Sequence, residues 1–175
     1  FSDGYDPAKL RYERVIIMTD ADVDGAHIAS LLMTFFFREM SQMVADGNLY
    51  LAMPPLYRIC QGGKTVYARD DAHKDELLES EFTGRAKIDI SRFKGLGEMP
   101  PAQLKETTMN PDTRTLIRVV LPASEELTPI KRGRKPLKLK AGTTADLVER
   151  LMGRKPELRL KFIQQNAGKV NYVDI

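Results

Sequence analysis

The chain has 175 residues, of which 42% are hydrophobic and 29% charged, the proportions of an ordinary globular protein. Its longest nearly apolar run, residues 31–37, is too short to cross a bilayer, and its single cysteine excludes an internal disulfide. The net charge of +3 is unevenly distributed, because residues 131–140 hold six Lys or Arg side chains and no acid. This basic segment on a mildly acidic body predicts a polyanionic partner.

The predicted elements alternate between strand and helix from the start of the chain. Residues 14–19 are apolar and β-branched, which predicts a buried parallel strand. After an acidic turn, residues 27–44 predict a helix that is apolar on several sides and should therefore be deeply packed. Residues 49–52 predict another strand, and residues 56–60 and 64–68 predict a hairpin around a Gly-Gly turn.

The second half of the body continues this alternation. Residues 71–81 predict a charged surface helix, and residues 87–90 predict a strand. Residues 92–98 form a glycine-punctuated loop, and a helix is expected to begin at Pro100 or Pro101 and continue to residue 107. Residues 116–121 predict a further strand. The pattern favours an α/β domain with a mostly parallel sheet.

Composition divides the chain into three regions. Residues 1–121 form the α/β domain, and residues 122–142, rich in Pro, Gly, Lys and Arg, are predicted to be a basic linker. Residues 143–175 are expected to form a helical segment, with helices over 144–152 and 156–165. Because the chain begins without a methionine and in the middle of a polar stretch, we expect it to be a fragment of a longer protein.

The feature most indicative of chemistry is the acidic turn after the first strand. Asp20, Asp22 and Asp24 alternate along the sequence, so on an extended backbone they would share one face. Carboxylates held that close repel each other unless a cation lies between them, and hard oxygen ligands favour Mg²⁺ or Ca²⁺. The carboxyl ends of strands are also common ligand sites in α/β sheets. The pattern predicts a divalent-metal site.

Two alternatives compete with that interpretation. The spacing also matches the start of an EF-hand loop, but position twelve would be Leu31, where a bidentate Glu is required, so this alternative fails. A solvated acidic turn in which Asp24-Gly25 caps the following helix stays open. His27, three residues further on, is a candidate for either a capping role or contact with substrate.

The loop over residues 92–98 is a second candidate site. Its two glycines and two cations, Arg92 and Lys94, would let backbone approach a phosphate, although the spacing alone is more typical of an ordinary turn.

Several sequence segments together resemble the motifs of one protein family. VIIMTDADVDGAHI (residues 15–28) resembles the acidic segment of the Toprim domain in the B subunits of bacterial type II DNA topoisomerases, gyrase and topoisomerase IV. RFKGLGEM (92–99), with QL and ETTMNP within residues 103–111, resembles the other signature of those subunits. FIQQNA (162–167) is similar to their C-terminal end.

That resemblance implies a Rossmann-like Toprim core in which Asp20, Asp22 and Asp24 hold Mg²⁺, or Mn²⁺, against a scissile DNA phosphate. It also implies an ATP-dependent isomerase of two A and two B subunits, in the cytoplasm on the chromosome and not in a membrane. The A subunit would supply the nucleophilic tyrosine that cleaves double-stranded DNA. Lys94 and His27, with Arg92, would lie near the DNA.

The resemblance also sets expectations about what this chain lacks. The family's further metal-binding Glu and its ATP site are expected outside the fragment, which should be inactive by itself. Residues 144–156 resemble the topoisomerase IV branch, which relaxes and decatenates DNA, more than gyrase, which supercoils it. Outside the family, the alternative is a non-catalytic α/β module that binds a metal and nucleic acid.

The basic segment is not a standard element of that family. Its core, Lys131, Arg132, Arg134 and Lys135 around Gly133, resembles an AT-hook, which lays arginines in the narrow minor groove of A·T-rich DNA. Sequence-blind binding to phosphates and a solvated linker with no binding role are the alternatives.

Overall fold

A computed structural model of the chain describes residues 6–84, 86–122 and 140–169. The chain divides into two compact units, which we call the strand unit and the helical unit. The strand unit comprises Arg11–Leu32 and Gly47–Val119. The described residues of the helical unit are 6–10, 33–46, 120–122 and 140–169.

The first sheet of the strand unit contains one parallel and one antiparallel pair. Strand β1 (Val15–Ile17) runs parallel to β2 (Leu49–Ala52), and β2 pairs antiparallel with β6 (Leu116–Arg118). β1 consists entirely of β-branched residues, which favour a pleated, half-buried surface. Ile17 is buried in β1, as are Leu49 and Ala52 at the two ends of β2. Because Leu49 and Ala52 are three residues apart, their side chains lie on opposite faces of the strand.

The second sheet is antiparallel and carries its own hydrophobic core. Strand β3 (Tyr57–Gln61) lies between β4 (Lys64–Ala68) and β5 (Ile88–Arg92). The predicted hairpin is confirmed, with Gly62 and Gly63 between the paired ends of β3 and β4. The buried members of the core come from β3, β4 and the residue after the neighbouring helix: Tyr57, Ile59, Ala68 and Phe82.

Helix α1 differs from its prediction in both bounds and burial. It spans Val23–Glu39, and a separate α2 covers Ser41–Ala45, because Met40 leaves the helical conformation (φ −142°, ψ 47°). The prediction of deep packing is wrong in this chain, since its buried positions are Gly25 and Ala29. Large apolar side chains on α1 are 40–50% exposed: Ile28, Leu31, Leu32 and Phe35.

Two further helices of the strand unit begin at residues that favour a helix start. Helix α3 spans Asp71–Glu81, and the Asp70 carboxylate accepts a hydrogen bond from the His73 N–H at 2.8 Å. Helix α4 (Pro101–Leu104) starts with proline and continues as a π-helical turn over Lys105–Met109. That turn brings two buried threonine hydroxyls, Thr107 and Thr108, within 2.8 and 2.6 Å of helix carbonyls.

In the helical unit, α5 (Thr144–Met152) and α6 (Pro156–Asn166) confirm the two predicted C-terminal helices. The Arg159 guanidinium donates to the Leu151 carbonyl at 2.6 Å, which joins α6 to the end of α5. The Glu149 carboxylate of α5 pairs with Arg38 at the end of α1.

The α/β class is confirmed, but the sheet is mixed: among the described strands, one of the four pairings is parallel. Two of the three antiparallel pairings are those of β3 in the second sheet, which we call the hairpin sheet, and the third joins β2 to β6. Within the described ranges, no helix is both long and apolar enough to span a membrane. The predicted linker, residues 122–142, falls mostly outside the described residues, so that division stays a prediction.

Candidate metal centre

Asp20 lies three residues beyond the end of β1, and its carboxylate is held by the loop over residues 92–98. Its Oδ1 accepts a hydrogen bond from the Leu96 backbone N–H at 2.7 Å. These two residues are 76 positions apart in sequence. Asp20 itself is exposed, so the bond orients the carboxylate without removing it from solvent. An N–H donor to a carboxylate stabilises its charged form.

Two glycines permit this arrangement by their lack of a side chain. A Cβ atom at Gly95 would lie 3.0–3.1 Å from the Asp20 carboxylate atoms, closer than nine in ten real Cβ contacts. A Cβ atom at Gly25 would lie 2.0 Å from the Asp20 carbonyl oxygen, which no real structure allows. Asp20 therefore approaches the loop with its carboxylate and the first turn of α1 with its backbone carbonyl.

Asp22 and Asp24 have different local roles. The Asp22 Oδ1 accepts from the Gly25 N–H at 2.6 Å, and its carbonyl accepts from the Ala26 N–H at 3.0 Å, so Asp22 caps α1. Asp24 lies in the first helical turn and is exposed. The expected sharing of one extended face is wrong for Asp24, because the backbone is already helical from Val23.

The loop that holds Asp20 is anchored at both ends. Phe93 and Met99 are buried, and the Phe93 N–H donates to the Leu56 carbonyl at 2.9 Å. Between them, the Glu98 carboxylate accepts from the Lys94 N–H at 2.8 Å and closes the loop on itself. A cavity of about 10 Å³ remains between the loop and the turn that contains Ala21. The loop is thus packed against the acidic turn.

The structure brings few of the other predicted residues to this point. Lys94 is exposed on the same loop, and His27 is exposed in α1. Arg92, at the end of β5, is exposed with its guanidinium 5.7 Å from the centre of the Tyr57 ring. The basic residues Lys131, Arg132, Arg134 and Lys135 lie outside the described residues.

The donor set suits one class of metal. Among the described residues, no three His, Cys, Asp or Glu side chains are grouped as a metal cage. Mg²⁺ does not need one, because it is usually bound by one or two carboxylates together with water and substrate phosphates. Asp20 and Asp22 offer exposed hard oxygens two residues apart. Their chemistry fits Mg²⁺ or Mn²⁺ better than a metal that prefers nitrogen or sulfur ligands.

Two family descriptions match consecutive parts of the chain. The Toprim domain matches residues 3–54, and the family described as DNA gyrase B subunit, carboxyl terminus, matches residues 85–164. The first match contains the acidic turn, and the second contains the loop that binds Asp20.

Relatives extend the similarity over nearly the whole chain. The DNA topoisomerase 4 B subunit of Bartonella bacilliformis is 58% identical over 98% of this chain and 22% of its own length. The Caulobacter vibrioides protein of the same name is 60% identical over 93% of this chain and 21% of its own length. The DNA gyrase B subunit of Thermotoga maritima is 47% identical over 99% of this chain and 24% of its own length. The chain therefore spans about a fifth to a quarter of these relatives.

This chain belongs to the family of bacterial type II DNA topoisomerase B subunits. The Asp20–Leu96 hydrogen bond connects the two matched regions, because Asp20 lies in the Toprim match and Leu96 lies in the carboxyl-terminal match. Sequence reasoning missed this contact and treated the loop as a separate candidate for phosphate binding. Gly95 was the only feature of the nearby sequence that pointed to this contact, and a glycine does not show which residue packs against it.

Proposed function

We propose that this chain is the magnesium-binding part of an ATP-dependent topoisomerase IV, which cleaves and rejoins double-stranded DNA to relax supercoils and decatenate chromosomes. A partner A subunit would carry the nucleophilic tyrosine, in an assembly of two A and two B subunits on chromosomal DNA in the cytoplasm. The observation that carries the proposal is the exposed acidic turn, with Asp20 and Asp22 oriented by backbone N–H groups.

The charge of the turn supports a cation there. Within the described ranges, Asp20 and Asp22 accept hydrogen bonds from backbone N–H groups, and neither they nor Asp24 form an ion pair. Three exposed carboxylates within five residues leave a local excess of negative charge, which a DNA phosphate would increase. A divalent cation bound there would offset this charge and favour the approach of DNA.

The residues have separate roles in this proposal. Asp20 and Asp22 would hold the metal through the carboxylate oxygens that are not used in the hydrogen bonds described above. A bound Mg²⁺ would stabilise negative charge on the transferring phosphoryl group. Asp24 and His27 are exposed in α1, and Arg92 and Lys94 are exposed on the loop whose Leu96 N–H binds Asp20. We assign Asp24 to the metal and the other three to contact with DNA.

Two of the described tyrosines are poorly suited to act as the nucleophile, which supports a nucleophile on another subunit. Tyr57 is buried and donates to Asp71 at 2.8 Å, and this hydrogen bond is the main reason its pKa is raised. Burial, with Glu106 nearby, raises the pKa of Tyr67. A lowered pKa is one way in which a nucleophile is activated, and both of these phenols show the opposite shift. We expect that the chain by itself does not cleave DNA.

The topoisomerase IV assignment rests on similarity. The two topoisomerase 4 relatives described above are 58% and 60% identical to this chain, against 47% for the gyrase relative. The alternative is a gyrase-type protein, which would introduce negative supercoils.

The experiment combines a B subunit that contains this segment with its A subunit. Asp20→Asn and Asp22→Asn each remove a charged ligand and keep its shape, so Mg²⁺-dependent DNA cleavage should fall by about a hundredfold or more. Asp112→Asn is the matched control, because Asp112 is an exposed aspartate elsewhere in the strand unit. Wild-type cleavage by the Asp20→Asn, Asp22→Asn double variant would refute the metal site. Supercoiling of relaxed plasmid would decide for gyrase.

A further inference from the structure

We propose that Gly95 and the Leu96 N–H form a positioning element for the Asp20 carboxylate, and that this is the principal role of the loop over residues 92–98. The inference rests on the proposed metal-binding role of Asp20. It assigns to Gly95 a function that differs from the phosphate contact suggested by the spacing of the two glycines.

The first argument is the geometry around the carboxylate. The Leu96 N–H fixes Oδ1 at 2.7 Å. A Cβ atom at residue 95 would lie 3.0 Å from both Cγ and Oδ2 of Asp20 and 3.1 Å from Oδ1. A side chain at residue 95 would thus force the carboxylate to shift by a few tenths of an ångström relative to the Leu96 donor. Glycine at this position leaves room for the contact with Asp20.

The second argument is that this N–H is already used. Because the Leu96 donor is bound to Asp20, it is not available to a phosphate in this conformation. At Gly97, the other glycine of the loop, a Cβ atom would meet no atom within 4 Å apart from its chain neighbours. The two glycines are therefore not equivalent, and only Gly95 contacts the acidic turn.

The third argument is that the loop is held in shape before any ligand arrives. Buried Phe93 and Met99 anchor its ends, and the Glu98 carboxylate closes it on the Lys94 N–H. A donor held in this way restricts the rotation of the Asp20 side chain. A ligand that is already oriented loses less conformational freedom when it binds a metal, and loss of such supporting contacts typically lowers metal affinity by about 10–100-fold.

The test compares Gly95→Ala with Gly97→Ala in a B subunit that contains this segment. Mn²⁺ binding to the purified protein is measured through the electron paramagnetic resonance signal of the unbound ion. This readout does not depend on DNA cleavage. We expect Gly95→Ala to weaken Mn²⁺ binding about tenfold or more, and Gly97→Ala to stay within about twofold of wild type. Asp20→Asn is measured in parallel as the reference for loss of the ligand.

A second variant covers the case in which Gly95→Ala does not fold. Replacing the Leu96 backbone amide with an ester removes the N–H donor and keeps every side chain. It should also weaken Mn²⁺ binding by about tenfold. Thermal melting without metal establishes that each variant used is folded.

The outcomes separate this inference from the proposed function. If Asp20→Asn weakens Mn²⁺ binding while the Gly95→Ala and Leu96 ester variants bind as wild type does, the positioning element is refuted and the metal site stands. If Asp20→Asn leaves Mn²⁺ binding unchanged, the metal site fails and the inference fails with it. Equal weakening by Gly95→Ala and Gly97→Ala would also overturn it, because Gly97 does not contact Asp20.

Discussion

The strand unit contains two clusters with aspartates, a tyrosine cluster around Asp71 and the acidic turn, and they differ in whether cationic side chains neutralise the negative charge. In the tyrosine cluster, Asp71 accepts hydrogen bonds from the Tyr57 hydroxyl at 2.8 Å and from the Lys74 ammonium at 2.9 Å. The Lys74 hydrogen bond, followed by that of Tyr57, holds the pKa of Asp71 below its usual range. Lys74 and Arg92 also lie over the Tyr57 ring, at 4.9 and 5.7 Å from its centre.

The acidic turn contains three aspartates without such partners. Backbone N–H groups orient Asp20 and Asp22, but in the described part of the chain no Lys or Arg side chain pairs with them. An N–H dipole stabilises a carboxylate without cancelling its charge, whereas an ammonium group cancels it. The comparison teaches that the tyrosine cluster is a structural feature of the hairpin sheet, while the acidic turn keeps its charge available for an external cation.

The largest expected effect tests the packing that shapes the acidic turn. Gly25→Ala would place a Cβ atom 2.0 Å from the Asp20 carbonyl, so the start of α1 must move. We expect a loss of about 3 kcal/mol in the free energy of unfolding, measured by urea denaturation. Gly63→Ala is the control, because a Cβ atom there meets no atom within 4 Å. Equal stability of the two variants would contradict the close packing of the turn.

A smaller effect is expected in the tyrosine cluster. Tyr57→Phe removes the hydroxyl that donates to Asp71 and keeps the buried ring. We expect a loss of about 1 kcal/mol in the free energy of unfolding, the typical contribution of one hydrogen bond. Mn²⁺ binding should stay unchanged, since Tyr57 does not contact the acidic turn. A change in metal binding without a change in stability would reverse the roles assigned to the two clusters.

The pH dependence of stability should distinguish the clusters further. Because the folded-state pKa of Asp71 is lowered, its stabilising contribution is present above the unfolded-state pKa, roughly 4, and is lost as pH falls through the folded value. Asp71→Asn should therefore be less stable than wild type near neutral pH, and the difference should shrink in acid. Urea denaturation at a series of pH values measures it. A difference that grows in acid would contradict the assigned charge pairing.

The smallest stability effect is expected at Asp22. Asparagine caps helices about as well as aspartate, so Asp22→Asn should change the free energy of unfolding by less than about 0.5 kcal/mol. Asp22→Ala, which removes the cap, should cost about 1 kcal/mol. If the asparagine variant were as unstable as the alanine variant, the charge of Asp22 would contribute to folding stability. Asp22 and Asp71 would then no longer differ in the role of their charge.

Local signals were sufficient for the elements that carry their own start and stop residues. Helix α3 has the predicted bounds, because the Asp70 cap precedes a run of helix-forming residues. The β3–β4 hairpin follows from alternating apolar residues on either side of Gly62-Gly63. The acidic turn was also found from sequence, since three aspartates after a β-branched strand are distinctive at short range.

Tertiary structure decided what those local signals could not. The antiparallel pairing of β5 with β3 joins residues about 30 positions apart, and the Asp20–Leu96 bond joins residues 76 positions apart. Sequence periodicity has no information about such pairings, because it reports only which face of an element is apolar. The sequence by itself therefore determined where the carboxylates are, and only the fold decided which backbone groups hold them, because hydrogen-bond partners are set by the approach of distant segments.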